Sequence, residues 1–517
     1  MPARSFITTA IDYTNGAPHI GHAYEKVLAD VVARYRRLRG DDVFFLTGVD
    51  QHGQKVQQSA EKQGVAPEQF VVDITAQFVA LWKKLHVEYD GWAATTEPLH
   101  KTCVQRILQR LWEEKKIYKD KQGGYYSVRQ EQFLTDKERG PDGEFGPEWG
   151  QVEFREQENY YFKLAEHKEW LLHLIDSRAA LVYPDFRRGE LRNAVEKLAG
   201  DLCISRPKSR LEWGIELPFD ADFVTYVWFD ALVNYISFAP GGYDARSGSH
   251  HPEFQRWWPA TIVIGKDILI PAHGIYWMIM LHALGFSDAD MPRLVVHGWW
   301  NISGAKMSKS LGNVVDPNVL ADTYGAAALR YYLMSDIATG KDSDFSEERL
   351  LGRYNADLAN SIGNLLNRSL SMSQRYRGGV LRRAAGESPL RGQAQAAVSA
   401  YREQLDTFQV QAALTAVTDF VTACNTYVEM TAPWKLAKDP ERADALDHVL
   451  YALAESLRII AILLSPVLPN ATRGIFAQLN SAGAMTLAAA EWGGLPDGHT
   501  VGKPVPLFPR IEAPPTE

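Results

Sequence analysis

Apolar positions change their period along this chain, and the changes mark out its elements. Residues 6–10 form a short strand-like run, 23–39 carry apolar residues at helical spacing up to Gly40, and 43–49 is a second apolar run. Strand, helix, strand in that order predicts a parallel βαβ unit. The alternation returns downstream. The run 223–228 predicts a strand feeding a helix over 229–238, 261–264 a further strand, 273–284 a helix and 294–297 a fourth strand. Between the two halves, Gly, Pro and charge dominate 119–150, followed by an amphipathic stretch at 164–175 and Pro184. That texture predicts a domain inserted into a split nucleotide-binding fold. Beyond about residue 350 the strand signals fade. Helical periodicity over 356–376, 393–430 and 444–464 predicts a helix bundle, so the expected class is α/β plus α.

Composition narrows the picture. With 517 residues, 46% hydrophobic and 23% charged, the chain suits about three globular domains. The opening residues are not expected to act as a signal peptide, and the apolar stretches 275–284 and 459–464 are too short to span a bilayer. Cys103, Cys203 and Cys424 lie too far apart for a disulfide framework or a Cys-x-x-Cys site, which leads to the expectation of a reducing, cytoplasmic setting. A net charge of −8 argues against coating nucleic acid by bulk electrostatics, but leaves room for a local basic surface. Arg368, Arg375, Arg377, Arg382, Arg383 and Arg391 crowd one stretch in which Glu387 is the lone acid. On charge alone this fits a solvated surface as well as it fits phosphate contacts.

Two short strings carry candidate chemistry. Pro18-His19-Ile20-Gly21-His22 lies where the first strand meets the first helix, and a helix N-terminus there welcomes phosphate. Its imidazoles can donate to phosphate oxygens, and Gly21 lets a purine approach closely. Lys306-Met307-Ser308-Lys309-Ser310, between Gly304 and Gly312, has the makings of a loop that grips a polyphosphate from the opposite side. No G-x-x-x-x-G-K-[ST] string occurs, so a Walker-type loop is excluded. Gly265-Lys266-Asp267 follows the third strand, where open α/β sheets bind ligands. Asp267 suits ribose hydroxyls there, with a helix N-cap as its structural alternative.

These strings resemble the HIGH and KMSKS signatures of class I aminoacyl-tRNA synthetases, and most closely the methionyl-tRNA synthetase family. Segments 10–19, 47–53, 204–207, 226–231 and 264–268 follow that family's pattern. The resemblance implies a split Rossmann domain (1–116 and 214–299), a connective insertion (117–213), a KMSKS loop and stem-contact region (300–350) and a helical anticodon-binding domain (351–517). It also implies activation of L-methionine by Mg-ATP and transfer to methionine tRNA, initiator and elongator. His19, His22, Lys306 and Lys309 would be catalytic, and Gly21, Gly265, Asp267, Lys306 and Lys309 would hold ATP. Ile11, Tyr13, Trp228, Ala231, Leu232, Tyr235 and His273 would line the methionine pocket. Asp50 would bind the ammonium with Arg206 as its charge partner. Aromatic walls suit a thioether, each sulfur contact contributing about 0.3–1.5 kcal/mol.

The sequence departs from the family pattern twice. Ser127, Gln130, Gly146 and Trp149 stand where zinc ligands are expected and cannot build a tetrahedral site, so no structural zinc is expected. The spacing from Gly265 to His273 is one residue longer than usual, through Ile270-Pro271-Ala272.

In the predicted bundle, Asn360, Asn364, Asn367, Arg368, Ser371 and Arg375 share one helix face, while Leu358, Ile362, Leu365 and Met372 mark the other. Amides and guanidinium groups suit the edges of unstacked RNA bases, and Trp434 offers a stacking platform. By the resemblance Asn364, Arg368 and Trp434 match anticodon readers. The rival enzymes are class I synthetases for leucine, valine or cysteine. The insertion is too short for the editing domain of the first two, and the cysteines supply no zinc–thiolate site for the third. A catalytically silent tRNA-binding relative would not be expected to keep both signatures. A monomer without a membrane partner is expected.

Overall fold

The computed structural model describes residues 2–129, 132–134, 138–140, 142–244, 251–302, 304–306, 314–383 and 386–512. Its centre is a seven-stranded sheet in which every pairing is parallel. Asp42–Asp50 is flanked by Asp12–Tyr13 and Gly91–Ala94. Beyond it lie Arg4–Thr9, Thr261–Gly265, Arg293–His297 and finally Val182–Tyr183. A parallel sheet is covered on both faces, so its strands read as continuous apolar runs. Successive residues go to opposite cores: Phe6 and Leu46 pack with Ile107 and Met280 on one side, Ile7 and Phe45 with Val27 and Val31 on the other.

Arg4–Thr9 pairs with Asp42–Asp50 on one side and with Thr261–Gly265 on the other. The direction of winding therefore reverses between the first strand and one some 250 residues later, and a crevice opens above the carboxyl ends of the strands at such a point.

Several sequence expectations change. The strand expected at 223–228 is Asp220–Thr225, and it belongs to a separate antiparallel sheet with Ser205–Pro207 and Glu216–Leu217. Only its last three residues are buried, which a central parallel strand would not tolerate. The helix expected at 229–238 is broken into Val227–Ala231 and Asn234–Ser237. The helix expected at 273–284 begins as a wide π-helical segment, Leu269–Trp277, and becomes α-helical only over Met278–Ala283. In the middle of the chain, Ile117–Ser127 and Val152–Phe162 form a long antiparallel pair, and Val182–Tyr183 returns to the edge of the central sheet.

The carboxyl-terminal part is helical: Asn364–Arg377, Pro389–Asp406, Val410–Thr431, Ala443–Leu464 and Pro469–Gln478. The periodic stretch beginning at 356 opens with a π segment, Tyr354–Gly363. Ala443–Leu464 is buried along most of its length, as the centre of a bundle must be. This core is continuous with one face of the sheet domain. Buried Arg330 ties the two together, donating to Asp30 at 2.7 Å and to the carbonyls of Leu85, Pro466 and Val467. Among the described residues no helix is long and apolar enough to cross a membrane.

Candidate active site

A cavity of about 520 Å³ opens at the crevice. Its walls bring together residues from five separate stretches: 10–25, 50–55, 226–235, 265–273 and 297–300. Strand ends supply most of them, because the backbone turns away there and leaves side chains facing the opening.

The His19–His22 turn caps the helix Ile20–Leu38 with its own imidazoles. Nδ1 of His19 accepts from the Gly21 N–H, and Nδ1 of His22 accepts from the His19 N–H, both at 3.1 Å. The rings stack with centroids 3.8 Å apart. Since both Nδ1 atoms accept, each ring carries its proton on Nε2, the tautomer that donates away from the backbone. A Cβ at Gly21 would lie 2.9 Å from the His19 ring, so glycine keeps the stacked pair in place as well as opening the approach. Gly265 and Asp267 face the same cavity. Asp267 lies inside the short turn Lys266–Ile268, whose N-cap is Gly265, so the helix-cap alternative falls away.

Lys306 lies in the strand Ala305–Lys306, its backbone paired with Asn301 in Trp300–Ile302. The chain reaches that hairpin directly from His297, Gly298, Trp299 and Trp300 of the cavity wall. Past the loop, the Val315 carbonyl accepts from the Ile20 N–H at 3.1 Å, at the start of the His19–His22 helix. The far end of the loop therefore borders the imidazole pair, and its near end leads out of the cavity wall. Met307, Ser308, Lys309, Ser310 and Gly312 lie outside the described residues.

On the other side Ile11, Tyr13, Trp228, Ala231, Leu232, Tyr235 and His273 all line the cavity. The Tyr235 hydroxyl donates to His273 Nε2 at 2.7 Å, while His273 Nδ1 donates to the Ile268 carbonyl at 2.8 Å. Burial pushes the His273 pKa down to about 4, against a small opposing pull from Ile268. The imidazole is thus neutral at physiological pH, and this wall presents aromatic and apolar surface without charge. His273 and its preceding residues 270–272 lie in the π segment Leu269–Trp277. Ile270 inside it is extended (φ −116°, ψ 124°).

Asp50 also faces the cavity. It accepts from the His52 N–H at 3.3 Å and the Thr95 hydroxyl at 3.4 Å. Burial first, and then the nearby Asp230 charge, raise its pKa well above the usual carboxylate range. Arg206 donates to the Ser205 carbonyl at 2.8 Å and lies over the Tyr226 ring. Asp230 is held between His52 Nδ1 and His100 Nε2, each at 2.7 Å. Burial works to raise its pKa, but the two imidazoles outweigh it and hold Asp230 at about 2.

Charged or amide-bearing wall residues not named from sequence as site residues are Asp12, Glu25, Lys55, Asn234 and His297. Glu25 and His297 meet at 3.1 Å. Glu25 lies beside Lys26 inside the helix Ile20–Leu38, where an interior Glu-Lys pair gives no local sign of burial.

Family models match nearly the whole length. "tRNA synthetases class I (M)" covers residues 5–142 and 149–370, and "Anticodon binding domain of methionyl tRNA ligase" covers 380–517. The chain belongs to the methionyl-tRNA synthetases. It is 42% identical to a methionine–tRNA ligase of Deinococcus radiodurans over 98% of its own length and 74% of that protein. With the Bacillus subtilis ligase it shares 39% identity over 98% of itself and 78% of the relative. Among solved structures, Mycobacterium tuberculosis methionyl-tRNA synthetase in complex with methionyl-adenylate superposes with a TM-score of 0.91 at 34% identity, over 98% of this chain and 100% of that one. The apo form of the same protein gives 0.84 at 31% identity, over 99% of each chain.

In this synthetase's helical part a second groove, of about 400 Å³, runs between two helices. Asn360, Asn364 and Arg368 form one wall, and Thr422, Asn425 and Glu429 the other. Arg368 donates to Glu429 at 2.7 Å and lies 5.9 Å from the Trp434 ring. Two further arginines of the basic stretch are drawn into the bundle. Arg377 bonds Asp447 and the Ala443 carbonyl, and Arg383 bonds Tyr451 and the Leu495 carbonyl. These two hold the bundle together, and the patch read from sequence shrinks accordingly.

Proposed function

We propose that this chain joins L-methionine to methionine tRNA through methionyl-adenylate, with the sequence-named residues in the roles that follow. The observation carrying this reading is that one cavity holds both a neutral, aromatic, thioether-sized wall and the capped His19–His22 turn. A methionine carboxylate oxygen attacks the α-phosphorus of Mg-ATP, the bond to the bridging oxygen breaks, and pyrophosphate leaves. The terminal adenosine hydroxyl of tRNA then attacks the carbonyl carbon and AMP departs. Neither step needs a covalent enzyme intermediate, so positioning and electrostatics supply the rate. His19 and His22 donate from Nε2 to the transferring phosphoryl group; Lys306 and Lys309 neutralise pyrophosphate. Gly21, Gly265 and Asp267 take the nucleoside. Asp50 pairs with the ammonium, and Tyr235, His273 and Trp228 take the thioether. Asn364, Arg368 and Trp434 read anticodon bases in the second groove.

The test is pyrophosphate exchange into ATP with each of the twenty amino acids, followed by charging of methionine tRNA. Exchange dependent on methionine alone is expected; exchange driven by another amino acid, or none, would overturn the reading.

We further propose a cytoplasmic monomer whose connective region folds without zinc. Ser127, Gly146 and Trp149 offer neither thiolate nor imidazole, and Ser127 already donates to the Trp149 carbonyl at 2.5 Å; Gln130 lies outside the described residues. Light scattering is expected to give one protomer's mass and elemental analysis less than stoichiometric zinc. A dimer mass or one zinc per chain would count against it.

A further inference from the structure

Lys26 is completely buried, which lysine tolerates only when its charge is matched. Its ammonium has three N–H donors, and each has an acceptor at 2.9 Å: the Ala10 carbonyl, Asp12 Oδ1 and Glu25 Oε1. Glu25 passes the contact on, its other oxygen meeting His297 Nε2 at 3.1 Å, while His297 Nδ1 donates to the Gly298 carbonyl at 2.8 Å.

These partners belong to three segments that the reaction must hold in register. Ala10 and Asp12 bracket Ile11 and precede Tyr13, on the amino-acid side of the cavity. Lys26 follows His22 by four residues, one turn along the same helix face. His297 ends the strand from which the chain runs through Gly298–Trp300 into the hairpin bearing Lys306. We propose that Lys26 is a positioning residue for adenylate formation, clamping the methionine-side strand, the His19–His22 helix and the root of the KMSKS loop to one another.

Lys26 touches no reacting atom. Loss of the clamp therefore acts on alignment in the transition state, where a misplacement of about 1 Å costs roughly 100-fold in rate, and leaves ground-state binding largely alone. A buried ion cluster with a purely structural role behaves otherwise, because replacing it by apolar side chains of similar size is often neutral for folding.

The experiment compares Lys26→Met with the charge-free pair Asp12→Leu/Lys26→Met in methionine-dependent pyrophosphate exchange and thermal unfolding. The single variant leaves two buried carboxylates without their cation and is expected to lose both stability and rate. The double variant leaves Glu25 paired with His297 alone; it is expected to unfold above the single variant's midpoint, with KM for methionine and ATP within about threefold and kcat down roughly 100-fold. A double variant that is stable with parental kcat would overturn the proposal. So would one that fails to fold, since the cluster would then be structural. The proposal rests on methionine activation by this site: a parent without methionine-dependent exchange sinks that reading, whereas an active parent matched by its double variant sinks only the clamp.

Discussion

Asp50 faces a cavity lined by aromatic rings, with the charge of Asp230 close behind it, and both circumstances favour its protonated form. The proposed partner is a methionine ammonium, which pairs only with the ionised carboxylate. As pH falls through the raised pKa of Asp50 that partner is lost, so KM for methionine should climb toward acid while KM for ATP stays level. Asp50→Asn should flatten the profile, weakening methionine by about 1.5–3 kcal/mol above the raised pKa and converging on the parent toward acid; steady-state exchange kinetics across pH read both effects. An unchanged methionine KM in the variant would remove Asp50 from the site. His273 adds no titration in this range, being neutral above about 4. His19, His22 and Asp267, singled out from short strings, line the same cavity because each string sits where a strand ends or a helix begins; Asp50 is named only through the family resemblance. Glu25, Lys26 and His297 could not be picked out: a Glu-Lys pair inside a helix looks solvated until distant strands cover it.

The element that sets the amino-acid wall is the π segment Leu269–Trp277. Buried residues line nearly its whole length, so it has no polar face to give a period, and the sequence suggested an ordinary helix starting later. Its wide turn places His273 against Tyr235. Deleting Ala272 should rotate His273 by about one helical step, near 100°, breaking the 2.7 Å bond to Tyr235. Methionine binding by calorimetry is expected to fall at least tenfold, with ATP binding kept; equal affinity would show that the segment does not position the pocket. The strand expected at 223–228 failed for a related reason. An apolar run of that length satisfies a buried parallel strand and the half-exposed middle strand of a small antiparallel sheet equally, and only its tertiary neighbours decide.

Across the whole molecule, two sites lie on one continuous framework. Arg368 stands in the second groove between Glu429 and Trp434, far in sequence from the cavity. Arg368→Ala is expected to raise KM for tRNA at least tenfold in charging assays and to leave methionine-dependent exchange unchanged; a matching loss of exchange would refute a separate RNA role. Arg330 joins the sheet domain to the bundle through Asp30 and three carbonyls. Removing one partner of a buried pair costs about 3–5 kcal/mol, so Arg330→Ala should lower the thermal midpoint clearly, as followed by circular dichroism. A midpoint within a degree of the parent would mean the two parts are held by other contacts. The central claim is tested most directly by a crystal structure with methionine and a non-hydrolysable ATP analogue. Sulfur density against Trp228, Tyr235 and His273, with phosphate density at Nε2 of His19 and His22, is the predicted result. Methionine and nucleotide in separate cavities, or phosphates away from both imidazoles, would contradict it.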